Sequence, residues 1–160
     1  MMATITSLLK AATGNSQRGR NPYMVENTLD IVATTVNPSS GDVVQAITIP
    51  AGHKIMAAGV EVVESATMNT GTDATITLGA ADADEYVTSF DIDGAADGAY
   101  APSVTVSADV VLASDDTLDV TFAGSGASFT AGKLRVYAIM MDVSEQGDTS
   151  ANEVDRDTLA

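Results

Sequence analysis

The sequence of 160 residues contains no cysteine and no tryptophan, and aromatic residues make up only 4% of it. Without cysteine the chain can form no disulfide, no thiolate nucleophile and no cysteine-ligated zinc site. The scarcity of aromatic residues also argues against a glycosidase, because sugar sites typically offer aromatic platforms beside their carboxylates. The core must be filled by Val, Ile, Leu, Met and Ala, which suits an interior built from sheets.

Basic residues are also few, with seven Lys and Arg against 22 Asp and Glu, for a net charge of −15. Such a surface repels nucleic acid, so we expect no nucleic-acid partner. Three of the seven bases precede the first acid, Glu26: they are Lys10, Arg18 and Arg20. Residues 26–160 carry all 22 acids and four bases, a net charge of −18. This asymmetry predicts a basic N-terminal arm over 1–25 on an acidic body.

Long hydrophobic runs are missing as well. No stretch approaches about 18 consecutive apolar residues, so we expect no membrane-spanning helix. Residues 1–10 lack the basic start and apolar centre of a secretion signal. The arm is either a frayed terminus or a segment that orders on a partner. Residues 144–160 are polar and acidic, which predicts a C-terminal tail that is extended or docked on a neighbour.

Between arm and tail, over 26–143, apolar and polar residues alternate with the period of a β-strand, and turn residues separate the runs. About eight short strands are predicted from nine candidate runs: 23–33, 43–49, 55–64, 75–78, 86–92, 104–106, 109–112, 118–122 and 133–143. No convincing amphipathic helix follows residue 25. The pattern predicts an all-β fold, an antiparallel β-sandwich that is jelly-roll-like.

Two strands carry further information. The apolar parity of 55–64 shifts around Gly59, which predicts a β-bulge beside that glycine. Strand 133–143 is apolar on both faces, which is typical of a central strand or of one covered by a partner. Its two faces comprise Leu134, Val136, Ala138 and Met140, and Tyr137, Ile139, Met141 and Val143. Met140 and Met141 therefore belong either to a subunit interface or to the sandwich core.

The sequence offers little for catalysis. The single histidine, His53, lies in a turn, and no Gly-x-Ser-x-Gly motif supplies a nucleophile for a triad. One histidine without cysteine also cannot build a zinc site unless several carboxylates join it. We therefore predict that the chain is not an enzyme and carries no cofactor.

Acidic residues cluster in the glycine-containing segment 91–98. Asp91, Asp93 and Asp97 offer hard oxygen ligands of the kind that Ca²⁺ prefers. The spacing departs from an EF-hand, because no ligand stands at the fifth position and no Glu closes the loop. The alternative is a solvated acidic loop in which Asp and Gly supply turn geometry.

Three segments together resemble small virion structural proteins of marine tailed phages, including cyanophage-type podoviruses. They are 49–63 (IPAGHKIMAAGVEVV), 116–124 (DTLDVTFAG) and 131–143 (AGKLRVYAIMMDV). The resemblance covers roughly residues 45–143 and includes no catalytic signature. It implies a jelly-roll-like domain on the outer surface of the virion, often a homotrimer, that clamps neighbouring subunits of the major capsid protein. No binding residues can be transferred from it.

The resemblance leaves several roles open. The first is a capsid decoration, or cement, protein, with Lys10, Arg18, Arg20, Met140 and Met141 as candidate partner-binding residues. The second is a head-fibre or tail-associated receptor-binding domain, for which the segment 82–100 would supply the recognition loop. A shell-forming capsid subunit and an unrelated carbohydrate-binding or surface-layer module are further alternatives.

Overall fold

The computed structural model describes residues 21–32, 37–71, 73–101, 111–124 and 127–143. These residues form seven β-strands and no helix. The strands are β1 (Tyr23–Asp30), β2 (Val43–Ile49), β3 (His53–Thr70), β4 (Thr75–Gly79), β5 (Val87–Asp91), β6 (Asp116–Ala123) and β7 (Ala127–Asp142). Because β1 begins at Tyr23, the last three residues of the predicted arm, 23–25, lie in a sheet.

The strands form two antiparallel sheets, one of three strands in the order β1-β7-β3 and one of four in the order β2-β6-β4-β5. Their pairing is nested: β1 pairs with β7, β2 with β6, and β4 with β5. This is a long antiparallel ribbon wound into two layers, the topology of a jelly roll. The predicted all-β sandwich is confirmed.

The edge of β3 that faces away from β7 also forms backbone hydrogen bonds. The N–H of Gly98 donates to the carbonyl of Val62 at 2.7 Å, and the N–H of Leu112 donates to the carbonyl of His53 at 3.2 Å. Short segments on both sides of 102–110 therefore pair with β3, next to the outer edge of the three-stranded sheet. The predicted strand 104–106 lies outside the described residues.

The core lies between the sheets and is built from one face of each strand. Val60, Val62, Leu134 and Val136 face Ile76, Leu78, Leu118 and Val120 in a cluster with almost no exposed surface. Burial of each such side chain contributes about 1.5–3 kcal/mol to folding. Among the described residues no polar or charged residue is buried, so apolar packing alone specifies this interior.

The prediction that 133–143 forms a central strand is confirmed, because β7 lies between β1 and β3. The bulge is present in β3 but at a different position from the predicted one. The register with β7 shifts between Ile55 and Ala57, at Met56. Gly59 instead lies beneath the ring of Tyr137, where a Cβ atom would stand 2.5 Å from the Tyr137 hydroxyl oxygen. The absence of a side chain at Gly59 lets the ring of Tyr137 on the neighbouring strand pack closely against the backbone.

Candidate interaction surface

The aspartates of the predicted calcium loop accept hydrogen bonds from the backbone. Asp91 Oδ1 accepts from the N–H of Gly94 at 2.9 Å, and Asp93 Oδ1 accepts from the N–H of Ala74 at 3.1 Å. The bond from Gly94, followed by a side-chain hydrogen bond with Asp93, lowers the pKa of Asp91. These carboxylates therefore cap turns at the end of the four-stranded sheet.

Asp97 ties its loop to β3. Its Oδ1 accepts from the Ser65 hydroxyl at 2.8 Å and from the Ser65 N–H at 2.7 Å, and the hydroxyl bond followed by the N–H bond lowers the pKa of Asp97. Across the described ranges, no three or more His, Asp or Glu side chains lie close enough to hold a metal ion. These hydrogen bonds place the three aspartates in turns, and the calcium site stays a prediction.

His53 takes part in packing at the start of β3. Its Nδ1 lies 3.3 Å from the carbonyl oxygen of Ala51, and its ring meets the ring of Tyr23 edge-on, with centroids 5.9 Å apart. These contacts hold the turn 50–53 against β1.

The candidate partner-binding residues fall into three groups. Lys10, Arg18 and Arg20 lie outside the described residues, as does the tail 144–160. Met140 is 1% exposed in the core, so it cannot contact a partner unless the sheets separate. Met141 lies on the opposite face of β7 and is half-buried. Of the two methionines, only Met141 is placed to meet another molecule.

The outer face of the three-stranded sheet consists of every second residue of β1 from Met24 to Asp30, every second residue of β7 from Lys133 to Met141, and their partners on β3. Tyr100 extends this face, because it bridges to Glu61 of β3. Val111 does the same through its bridge to Lys54.

One end of this face carries several exposed apolar side chains around Lys54. Across the described residues, six large apolar side chains are exposed, and four of them lie here: Met24, Met56, Tyr100 and Val111. Met24 is 60% exposed and Tyr100 is 59% exposed. The Tyr100 ring meets the ring of Tyr137 edge-on with centroids 6.3 Å apart. A group of exposed apolar side chains on one face is typical of a binding surface.

The other end of the face is charged and internally paired. Arg135 Nη1 donates to Glu61 Oε2 at 2.9 Å, and Lys133 Nζ donates to Glu64 Oε2 at 2.9 Å. The bond to Glu64, assisted by the charges of Glu64 and Asp30, raises the pKa of Lys133. Solvent screens exposed cross-strand pairs of this kind, so they contribute little to stability. Their main effect is to neutralise this end of the face.

The outer face of the four-stranded sheet is different in chemistry. Thr48 pairs with Thr117, Thr77 pairs with Thr121, and Gln45 pairs with Asp119. Only Val43, at 54% exposure, adds a large exposed apolar side chain to this sheet. The molecule thus has one apolar outer face and one hydroxyl-rich outer face.

Sequence reasoning found part of the apolar face. The second apolar set of 133–143 pointed to Tyr137, Ile139 and Met141, which do lie on it. Met24, Tyr100 and Val111 were missed, because their place beside β7 depends on strand pairing across the whole chain.

The part of the chain that the structure describes is entirely strand and loop, and it holds no helix long and apolar enough to cross a membrane.

No protein-family model and no curated protein matches the chain, but solved structures share its fold. A chain of the cyanophage Pam1 capsid asymmetric unit aligns with a TM-score of 0.59 at 17% identity, covering 88% of this chain and 99% of that chain. A chain of the capsid of Ralstonia phage GP4 aligns with a TM-score of 0.54 at 16% identity, covering 75% and 84%. A weaker likeness, with a TM-score of 0.47 at 15% identity over 74% and 86%, is to the acidic stable capsid structure of Helicobacter pylori bacteriophage KHP30. At these identities the likeness to the Pam1 and GP4 chains establishes a common fold.

Proposed function

We propose that this chain is a virion structural protein, a decoration or cement protein that binds the outside of a tailed-phage capsid and bridges its subunits. The observation that carries the proposal is the match to the Pam1 capsid chain, which extends over 99% of that chain and 88% of this one. The alignment takes in nearly all of that chain and most of this one, which supports a common fold for the two. A capsid component of this size fits an added protein better than a shell-forming subunit.

The proposed role needs contact area and stiffness rather than an active site. Packaged DNA presses outward on the shell, so contacts that join neighbouring capsid subunits raise the force needed for rupture. A sandwich with an apolar core and an exposed apolar face supplies both properties. The protein would act by binding alone, without catalysis or a cofactor.

The partners follow from the same role. The major capsid protein is the first, and further copies of this chain, in a homotrimer, are the second. The basic residues Lys10, Arg18 and Arg20 would reach a capsid subunit or a neighbouring copy, since the body around them is acidic. The acidic tail 144–160 would extend over a neighbour. Nucleic acid is not expected as a partner, because of the charge of the body.

The test is cryo-electron microscopy of the purified particle that contains this chain. We expect density on the outer surface of the shell, at regular lattice positions that bridge capsid subunits. Density confined to the tail or to one vertex would replace the proposal by the fibre or receptor-binding role.

A truncated chain lacking residues 1–20 tests the arm on the same particles. The deletion ends before β1, so the sandwich keeps the seven described strands. We expect binding to stripped capsids to be lost while the circular dichroism spectrum is retained. Full occupancy by the truncated chain would show that the arm is not the anchor.

A further inference from the structure

We propose that the outer face of the three-stranded sheet is the surface through which a second copy of this chain binds. The inference rests on the homo-oligomer in the proposed function and names where the copies meet. It does not depend on where in the virion the protein lies.

The first argument is the distribution of charge. The described residues include sixteen Asp and Glu but only three Lys and Arg, namely Lys54, Lys133 and Arg135. All three bases lie on this face, together with four acids: Glu26, Asp30, Glu61 and Glu64. The remaining twelve described acids lie outside this face. The face is close to neutral, and the rest of the described surface is strongly negative.

This distribution decides how two copies can approach each other. Each chain carries a net charge of −15, so most orientations bring acid against acid, and contact there is repulsive. Approach through a nearly neutral face adds little repulsion, which holds for this face and also for the threonine-rich outer face of the four-stranded sheet, so charge restricts the contact to these two faces. Glu61 and Glu64 are already paired within the chain, which lowers that cost further.

The second argument is the apolar end of the face. Met24, Met56, Tyr100 and Val111 are exposed there, and methionine and tyrosine are enriched at protein interfaces. Burying these side chains supplies the favourable term that must exceed the residual repulsion. The threonine-rich face of the other sheet offers no comparable gain.

The third argument is size. Three strands about 4.8 Å apart and eight residues at about 3.3 Å give a footprint of roughly 380 Å² in projection, which Tyr100, Val111 and side-chain relief enlarge. A standard interface buries about 800 Å² per partner. The face can therefore supply most of one interface, and in a cyclic trimer three such faces would surround the axis.

The test compares two exposed sites on opposite sheets of the full chain. The double variant Met24→Asp, Tyr100→Asp places carboxylates on the face, and the control Val43→Asp places one on the four-stranded sheet. By light scattering after size exclusion we expect an oligomer for the wild type and the control. The double variant should dissociate, with a dissociation constant raised at least about a hundredfold. An unchanged mass for the double variant, or equal dissociation of the control, would overturn the proposal.

Cysteine labelling keeps the test decisive if the double variant folds poorly. The chain has no cysteine of its own, so Tyr100→Cys and Val43→Cys each carry a single reactive thiol. We expect maleimide to react more slowly at position 100 than at position 43, and the difference to vanish on dilution to monomer. Equal rates at high concentration would refute the interface. Slow labelling at position 100 in a monomeric protein would also refute it, because the arm or tail of the same chain would then be covering this position.

Both measurements use purified protein without capsids. If the variants do not affect self-association but the particle shows the expected capsid density, the decoration role stands without this interface. If the variants break self-association but no capsid density is seen, the interface stands without the decoration role.

Discussion

At the scale of single residues, Met140 and Met141 are neighbours in sequence with opposite environments. Successive side chains of a strand point to opposite faces, so the one-residue step moves a methionine from the core to the outer face. Met140 pairs with Ile55 of β3 on the inner face, whereas Met141 pairs with Lys54 on the outer face. Two identical side chains therefore have separate roles.

Alanine substitutions should separate these roles. We expect Met140→Ala to lower the free energy of unfolding by about 2–5 kcal/mol, because it leaves a cavity in a packed core. Met141→Ala should cost less than about 1 kcal/mol in folding but weaken self-association. Urea unfolding at one fixed protein concentration, together with light scattering, measures both quantities. Equal destabilisation by the two substitutions would contradict the assignment.

At the scale of elements, the strands could be predicted because alternation is a local property of the sequence. The buried set of β7 follows directly from its period of two. The position of the bulge could not be obtained in this way, since Ala57, Ala58 and Gly59 give almost no contrast between apolar and polar. Tertiary packing under Tyr137, rather than local pattern, determines where the glycine lies.

The candidate site was harder to predict for a related reason. The outer face joins β1 near the start of the body to β7 near its end, and only the register shows that Met24 lies beside Ile139. The prediction of a calcium site in the acidic loop rests on composition alone. That Asp97 is held by Ser65, from a different strand, could not be inferred from spacing within the loop.

Calcium should leave the melting temperature unchanged. Asp91, Asp93 and Asp97 already accept backbone hydrogen bonds, so a cation would have to displace them. A real site occupied at 100 times its dissociation constant would add about 2.7 kcal/mol of stability. Differential scanning calorimetry in millimolar CaCl₂ tests this, with MgCl₂ as the control for general screening of an acidic protein. A calcium-specific rise that is lost in Asp97→Asn would restore the metal site.

At the scale of the whole molecule, the net negative charge opposes association between copies, whereas the nearly neutral outer face of the three-stranded sheet permits it. Every copy is repelled by the others over the acidic parts of its surface, whereas the outer face of the three-stranded sheet is close to neutral and also apolar at one end. The ion pairs on that face are formed within one chain, so salt does not remove contacts between copies.

Self-association should therefore strengthen as salt is added. Screening shortens the range of repulsion from about 30 Å at 0.01 M ionic strength to about 10 Å at 0.1 M. We expect the dissociation constant of the oligomer to fall over that range in sedimentation equilibrium. Dissociation by salt would show instead that ion pairs between copies hold the assembly.

The nested pairing of the strands also has a consequence for the order of folding. The turn between β4 and β5 is short, so this innermost pair closes a small loop at low entropic cost. Once an inner pair of strands has formed, the loop that the next outer pair must close is shorter. The pair β1 and β7 is the outermost, so we expect it to form last. We expect the sheet that bears the apolar outer face to be completed at the end. The outer face of the three-stranded sheet would thus be complete only after the core has formed. Association between copies would then follow folding instead of competing with it.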